Sequence, residues 1–444
     1  MSPELISILV LGLMFLVATL LPVNMGAIAF TAAFVVGGYV AHMSSDDILG
    51  GFPGDLFLTL AGITYLFAIA QANGTVDWLV RLAVTAVRGR IAAIPWVMFG
   101  IAAVLTAIGA VSPGAVAIIA PIALGFAAKY RINPLLMGLM VVHGAQAGGF
   151  SPISIYGGIV NGVVEKSGLP GNETAIFLSS LAFNTLVAIV IFGLFGGREL
   201  LRRTEGVAPA TGGGTSSGGG TASGGHGGLA TLTEAEPSVA AAESGRPTRD
   251  QILTVLGLLG LAIGALAFEL EVGFVAITVA VVLAVLSPKI QKGAVEKISW
   301  STILLITGVT TYIGVLEEMG TIDYVGTSVA GIDMALLAAL LLCFVGAIVS
   351  AFASSVAVLG ATIPLAVPFL MQGEIGAVGM VAALAVSSTV VDCSPFSTNG
   401  ALVLANAQGV DKDVFFRKLL AYGGVVVVVA PLATWLLLIV PGWL

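Results

Sequence analysis

Ten long apolar runs dominate this sequence, near 5–22, 25–41, 56–73, 134–164, 175–196, 252–268, 272–286, 302–316, 378–404 and 419–440. An apolar helix needs about 20 residues to cross a bilayer. Eight of the ten are at least 17 residues long, about the lower limit for a crossing. Membrane barrels alternate polar and apolar residues over segments of about ten. These runs are unbroken, so the chain reads as an all-α polytopic membrane protein. Composition closes the other routes. Charged residues are only 9 % of the 444, and mean hydropathy is +1.08. A soluble domain carries about 25 % charge. A soluble enzyme, a nucleic-acid binder and a disordered scaffold are thereby excluded. Two cysteines and three scattered histidines give no disulfide framework and no resident metal site. No cofactor is expected. The N-terminus starts apolar at Leu5 without a basic region, which reads as a retained first span.

Two further apolar stretches, about 91–128 and 334–371, carry a breaker near the middle. The first has Ser112-Pro113-Gly114 and the second Ser354-Ser355. Each is either a pair of spans with a tight turn or a re-entrant helical hairpin. Gly74-Thr75-Val76-Asp77-Trp78 precedes the first, and Gly320-Thr321-Ile322-Asp323-Tyr324 precedes the second. Both read as helix starts, with Thr as N-cap. The segment after Asp77 is amphipathic and suits a membrane interface. Gly62 then matches Gly308, Pro121 matches Pro364, and Ser151-Pro152-Ile153-Ser154 matches Ser394-Pro395-Phe396-Ser397. Gly157 likewise matches Gly400. The chain is therefore an internal repeat. Each half holds five transmembrane spans plus one re-entrant hairpin. Five crossings are an odd number, so the second half sits upside down. Inverted repeats of this kind mark secondary transporters.

The boundaries follow. Residues 1–196 form the first repeat and 251–444 the second, joined by a linker at 197–250 with a Gly/Ser/Thr-rich middle. Threading the spans puts 16 of the 17 basic residues on one side, with Lys166 alone on the other. The positive-inside rule makes the populated side, with the linker, cytoplasmic. Both termini are then extracytoplasmic, in a multi-pass cell membrane.

Transporter sites lie near the midplane, where broken helices free backbone groups. Four places can break a helix: the two hairpin tips and the two Ser-Pro-x-Ser copies. Serine hydroxyls there can ligate Na⁺ or bond a carboxylate. Helix C-termini favour cations and N-termini anions. Asp392 is the only charged residue inside any apolar run. Such a carboxylate costs about 2.5–3.5 kcal/mol at the bilayer centre on insertion scales. It reads as a cation ligand or a proton-coupling group, and its counterpart is Gly149. The expected cation ligands are Ser112, Ser151, Gly157, Ser354, Asp392, Ser394 and Gly400. The expected substrate contacts are Ser112, Gly114, His143, Ser154, Ser355, Ser397, Thr398 and Asn399. His143 is alternatively a helix–helix contact. No Lys or Arg falls at membrane depth, so an anionic substrate needs helix N-termini, hydroxyls and bound cations to offset its charge.

This pattern resembles the ion transporter superfamily. It is most similar to the divalent anion/sodium symporters, in the branch of the MatC malonate and dicarboxylate carriers. The resemblance rests on the paired halves, one hairpin per half, the interfacial segments and the break after each hairpin. In that family the hairpin tips carry Ser-Asn-Thr. Here the matching positions are Ser112-Pro113-Gly114 and Ser354-Ser355-Val356, of which the leading serines agree. The resemblance implies Na⁺ (or H⁺) coupled symport of a small dicarboxylate. It also implies a homodimer, with scaffold segments at 1–90 and 251–332 and transport units at 91–196 and 333–444. A cation/proton antiporter of related fold, using Asp392, is the alternative.

Overall fold

The computed structural model describes residues 2–21, 23–76, 78–79, 82, 90–202, 247–268, 270–288, 293–321, 324, 335–351, 355–371, 375–407 and 410–442. Ser354, most of the linker, Asp77, Asp323 and most of the amphipathic segment before the first hairpin lie outside them. Regular structure among the described residues is helical throughout.

The first part runs α1 (Pro3–Leu20), α2 (Met25–Ala32, continuing as a π-helix over Ala33–Val40), α3 (Ser45–Gly50) and α4 (Gly54–Ala72). Next come α5 (Ile94–Ala107), α6 (Ser112–Tyr130), α7 (Pro134–Gly148), α8 (Ile155–Lys166), α9 (Glu173–Leu194) and the short α10 (Gly197–Arg202). After the linker the order recurs: α11 (Arg249–Ala267), α12 (Val272–Leu286), α13 (Trp300–Glu318), α14 (Ala335–Ser350) and α15 (Ser355–Leu370). It ends with α16 (Ala377–Val390), α17 (Thr398–Ala405) and α18 (Lys412–Thr434, continuing as a π-helix over Trp435–Ile439). Five described helices are long and apolar enough to cross a membrane: α4, α6, α9, α13 and α18 with its π segment.

Local chemistry sets most boundaries. Ser2, Asn24, Asn133, Asn172, Glu271 and Asp411 each accept a backbone N–H at a helix start. Ser44–Asp47 and Thr248–Gln251 form reciprocal capping boxes. Pro occupies the first turn of α1, α5, α6 and α7, where its missing N–H costs nothing.

The packing is reciprocal between the two parts. α4 lies on α12, and α13 lies on α2. Glycines permit both approaches. A Cβ at Gly62 would meet the Gly273 carbonyl at 2.9 Å, and one at Gly308 would meet the Gly26 carbonyl at 2.2 Å. Such small-residue contacts are how membrane helices bring backbones together. α7 is wrapped by α5, α6 and α9, and α16 by α14, α15 and α18. α7 is buried from Leu135 to Gly148 and α16 from Gly379 to Val390, so these two short helices form the centre of the molecule.

Segments assigned to the same membrane side also meet. Gln251 donates to the Gly74 carbonyl at 3.2 Å, and Asn24 donates to the Ser301 carbonyl at 2.9 Å. Lys166 pairs with Asp55 at 2.9 Å.

Candidate functional site

Both central helices stop in the interior, and the same short motif stops them. After α7, the Ser151 hydroxyl accepts from the Ile153 N–H, and the Ser154 hydroxyl accepts from the Gly157 N–H and so caps α8. After α16, Ser394 accepts from the Phe396 N–H and Ser397 from the Gly400 N–H, capping α17. The second serine also donates to the carbonyl of the first, at 2.6 Å for Ser154 and 2.7 Å for Ser397. That carbonyl then lies over the first turn of the next helix. A Cβ at Gly157 would come within 2.0 Å of the Ser151 oxygen, and one at Gly400 within 1.9 Å of the Ser394 oxygen. Ser-Pro-x-Ser-x-x-Gly is thus a complete helix-breaking device.

Each hairpin return arm meets the break of the other part: α6 packs on α17, and α15 on α8. The first tip turns at Gly109, with φ +109°, where a Cβ would strike the Ile63 side chain at 2.1 Å. The Ser151 hydroxyl ties the first break to the hairpin by donating to the Ala107 carbonyl at 2.7 Å. At the second hairpin the Ser350 and Ser355 hydroxyls lie 2.9 Å apart. α6 starts at Ser112 after Val111, which provides no side-chain cap.

Asp392 stands where these parts converge. It is 2 % exposed. One carboxylate oxygen accepts the Asn399 backbone N–H at 3.3 Å. The other accepts Asn399 Nδ2 at 3.0 Å and Gln146 Nε2 at 3.5 Å. Asn399 Nδ2 also donates to the Ser112 hydroxyl at 2.8 Å. The Ser397 and Ser355 hydroxyls reach the same carboxylate, and the Tyr156 hydroxyl lies beside Ser112. Both hairpins and both breaks thereby contribute to one buried polar cluster. Two of its acceptors, Gln146 Oε1 and Asn399 Oδ1, are buried without a hydrogen-bond partner. Buried polar atoms are nearly always paired, so two unpaired ones in one cluster mark a place built for something else.

Of the residues expected from sequence, Ser112, Ser355, Asp392, Ser397 and Asn399 come together here. Ser151, Ser154, Ser394 and Ser397 have their hydroxyls engaged in the breaks. Gly157 and Gly400 lie under the break carbonyls. Gly114 is half-buried on the first turn of α6, and Thr398 is exposed beside the second break. His143 is a helix–helix contact. Its Nδ1 lies 3.1 Å from Asn184 Oδ1 on α9, and its Nε2 lies 2.7 Å from the Tyr422 hydroxyl on α18. Gln146 was not among the expected site residues. Its only sequence signal is an amide in an apolar run, one turn beyond His143.

A cavity of about 630 Å³ lies at the other end of α8, lined by Asp55, Pro152, Gly158, Glu165, Glu173 and Glu271 among others. It sits between α4, α8, α9 and the α11–α12 turn, and its charge is strongly acidic.

No curated protein matches the chain. The resemblance to the MatC branch is borne out over α1 to α7: residues 1–149 match the family model described as the dicarboxylate carrier protein MatC N-terminus, and this part of the chain is similar to that family.

Proposed function

We propose that the chain is a secondary active carrier that moves a small dicarboxylate, such as malonate or succinate, together with a cation, Na⁺ in the first instance. It works in a multi-pass cell membrane as two inverted repeats, with the linker cytoplasmic and both termini outside. The match of residues 1–149 to a dicarboxylate carrier family supports the substrate class. The reciprocal packing of equivalent helices supports the repeat.

One observation carries the reading: Ser112 at one hairpin meets Asn399, which binds Asp392 at the opposite break, at the buried centre of the molecule. Helix N-termini converge there, and the start of α6 has no side chain capping it. Amides at a helix N-terminus favour anions. They suit the substrate carboxylates, while Asp392 suits the cation. The acidic cavity adds a second support. A dianion passing Glu165, Glu173 and Glu271, with Asp55 offset by Lys166, is repelled unless cations travel with it, which favours symport over anion exchange. The hairpins act as gates, and 91–196 with 333–444 slide as an elevator against 1–90 with 251–332. Two copies associate through the scaffold segments.

The test is uptake of radiolabelled succinate or malonate into proteoliposomes, with and without an inward Na⁺ gradient. Symport predicts accumulation that collapses without the gradient. Uptake indifferent to every imposed ion gradient overturns symport. Proton flux driven by Na⁺ without any organic anion would replace it with the antiporter reading.

A further inference from the structure

We infer that the coupling cation is held at one dedicated site made by the Asp392 carboxylate with the side-chain carbonyl oxygens of Gln146 and Asn399, and that the first break has no equivalent. The inference deepens the cation-coupled reading and rests on it.

Three observations lead there. Gln146 Nε2 and Asn399 Nδ2 flank the same Asp392 oxygen, at 3.5 and 3.0 Å. The carbonyl oxygen of each of these amides is buried and unpartnered. Gln146 and Asn399 are both fully buried. Each amide therefore turns its donor to the carboxylate and leaves its acceptor idle. Rotating both amides would bring two neutral oxygens to a cation seated on the carboxylate. The same rotation would relieve both unpaired acceptors, which are costly in a dry interior. The Ser112 hydroxyl, now accepting from Asn399 Nδ2, is released by it as a further oxygen.

Chemistry then narrows the ligand. The donors are all oxygen, which suits a hard cation. One carboxylate among neutral oxygens balances one positive charge, so the site fits a dehydrated monovalent ion better than a divalent one. Among the described residues no cluster of three or more His, Cys, Asp or Glu could hold a metal, and Asp392 is the only buried Asp or Glu. A proton on the carboxylate would offer a single O–H, enough for one of the two amide carbonyls and not for both. The first break has Gly149 and Tyr156 in the corresponding places. A glycine and a phenol provide neither the charge nor the carbonyl, so the repeat doubles the break without doubling the cation site.

The experiment is thermal unfolding of the purified full chain in lipid nanodiscs, titrated with NaCl against choline chloride at constant ionic strength. Wild type should show saturable stabilisation specific to Na⁺. Gln146→Leu should raise the half-saturating Na⁺ at least tenfold while unfolding normally in choline, and Asp392→Asn should abolish the response. Should Gln146→Leu not fold, Gln146→Asn keeps the amide but withdraws it by one methylene, and at least a threefold rise is expected. An unchanged half-saturation in the Gln146 variant that folds overturns the site, as does wild type stabilised equally by Na⁺ and choline. Dicarboxylate uptake driven by protons and indifferent to Na⁺ would also overturn it, while leaving the carrier reading standing. An intact Na⁺ titration with no dicarboxylate uptake would do the reverse.

Discussion

At the first break Gly149 and Tyr156 occupy the places that Asp392 and Asn399 hold at the second, 243 residues further on in each case. Around those positions the two breaks coincide. Both use one serine to accept the N–H two residues on, a second to cap the next helix, and a glycine to admit a carbonyl over its first turn. The same backbone device occurs at both breaks with different side chains around it. Breaking a helix needs no particular chemistry at the site. Balancing a cation's charge needs a carboxylate, and one suffices.

The comparison is broken most sharply at its charged member. Asp392→Asn should cut coupled uptake at least a hundredfold, about 2.7 kcal/mol of lost driving interaction. Tyr156→Phe, at the counterpart of Asn399, should leave uptake within about threefold by the same logarithmic scale. Equal losses in the two variants would show that the breaks share one role.

The shared device predicts matched structural costs. Gly157→Ala and Gly400→Ala each force a Cβ onto a carbonyl oxygen, at 2.0 and 1.9 Å. Each should destabilise the protein by about 3 kcal/mol, the upper end for overpacking. Thermal unfolding would read both, and a large difference between them would separate the breaks structurally. Ser154→Ala and Ser397→Ala remove one cap each and should cost about 1 kcal/mol apiece. The same melts would register a loss in one variant only as a break in the equivalence.

The smallest effect lies away from both breaks and serves as a reference. In the first turn of α3, hydrogen bonds from the Ser44 hydroxyl and backbone hold the Asp47 carboxyl below its ordinary value. A carboxyl lowered in the folded state contributes stability above its unfolded value, and that contribution is lost as pH falls through the folded one. Asp47→Asn should therefore lower the melting temperature slightly at neutral pH and converge with wild type in strong acid. A persisting gap at low pH would mean that Asp47 acts by something other than its charge.

The sequence by itself determined the helical membrane class, the order of elements and the location of both breaks. These are matters of local chemistry. Apolar run length reports a span, and a capping serine acts on an amide two or three residues away. Asp392 was legible for a related reason, since a single charge in an apolar run stands out without any knowledge of its neighbours. Only the tertiary structure decided what surrounds it. Gln146 lies 246 residues from Asp392 in the chain, and the meeting depends on how α7 and α16 pack. Both helices are buried on every face, so no polar stripe in their sequence points to a partner. The same packing separated residues that look alike in sequence. His143 was drawn into a helix–helix contact with Asn184 and Tyr422, and Ser154 was engaged in capping, while Asn399 was brought to the carboxylate and Ser112 to the Asn399 amide. Which polar side chain joins two helices and which faces the site is fixed by what packs opposite it, and that is set by the tertiary fold.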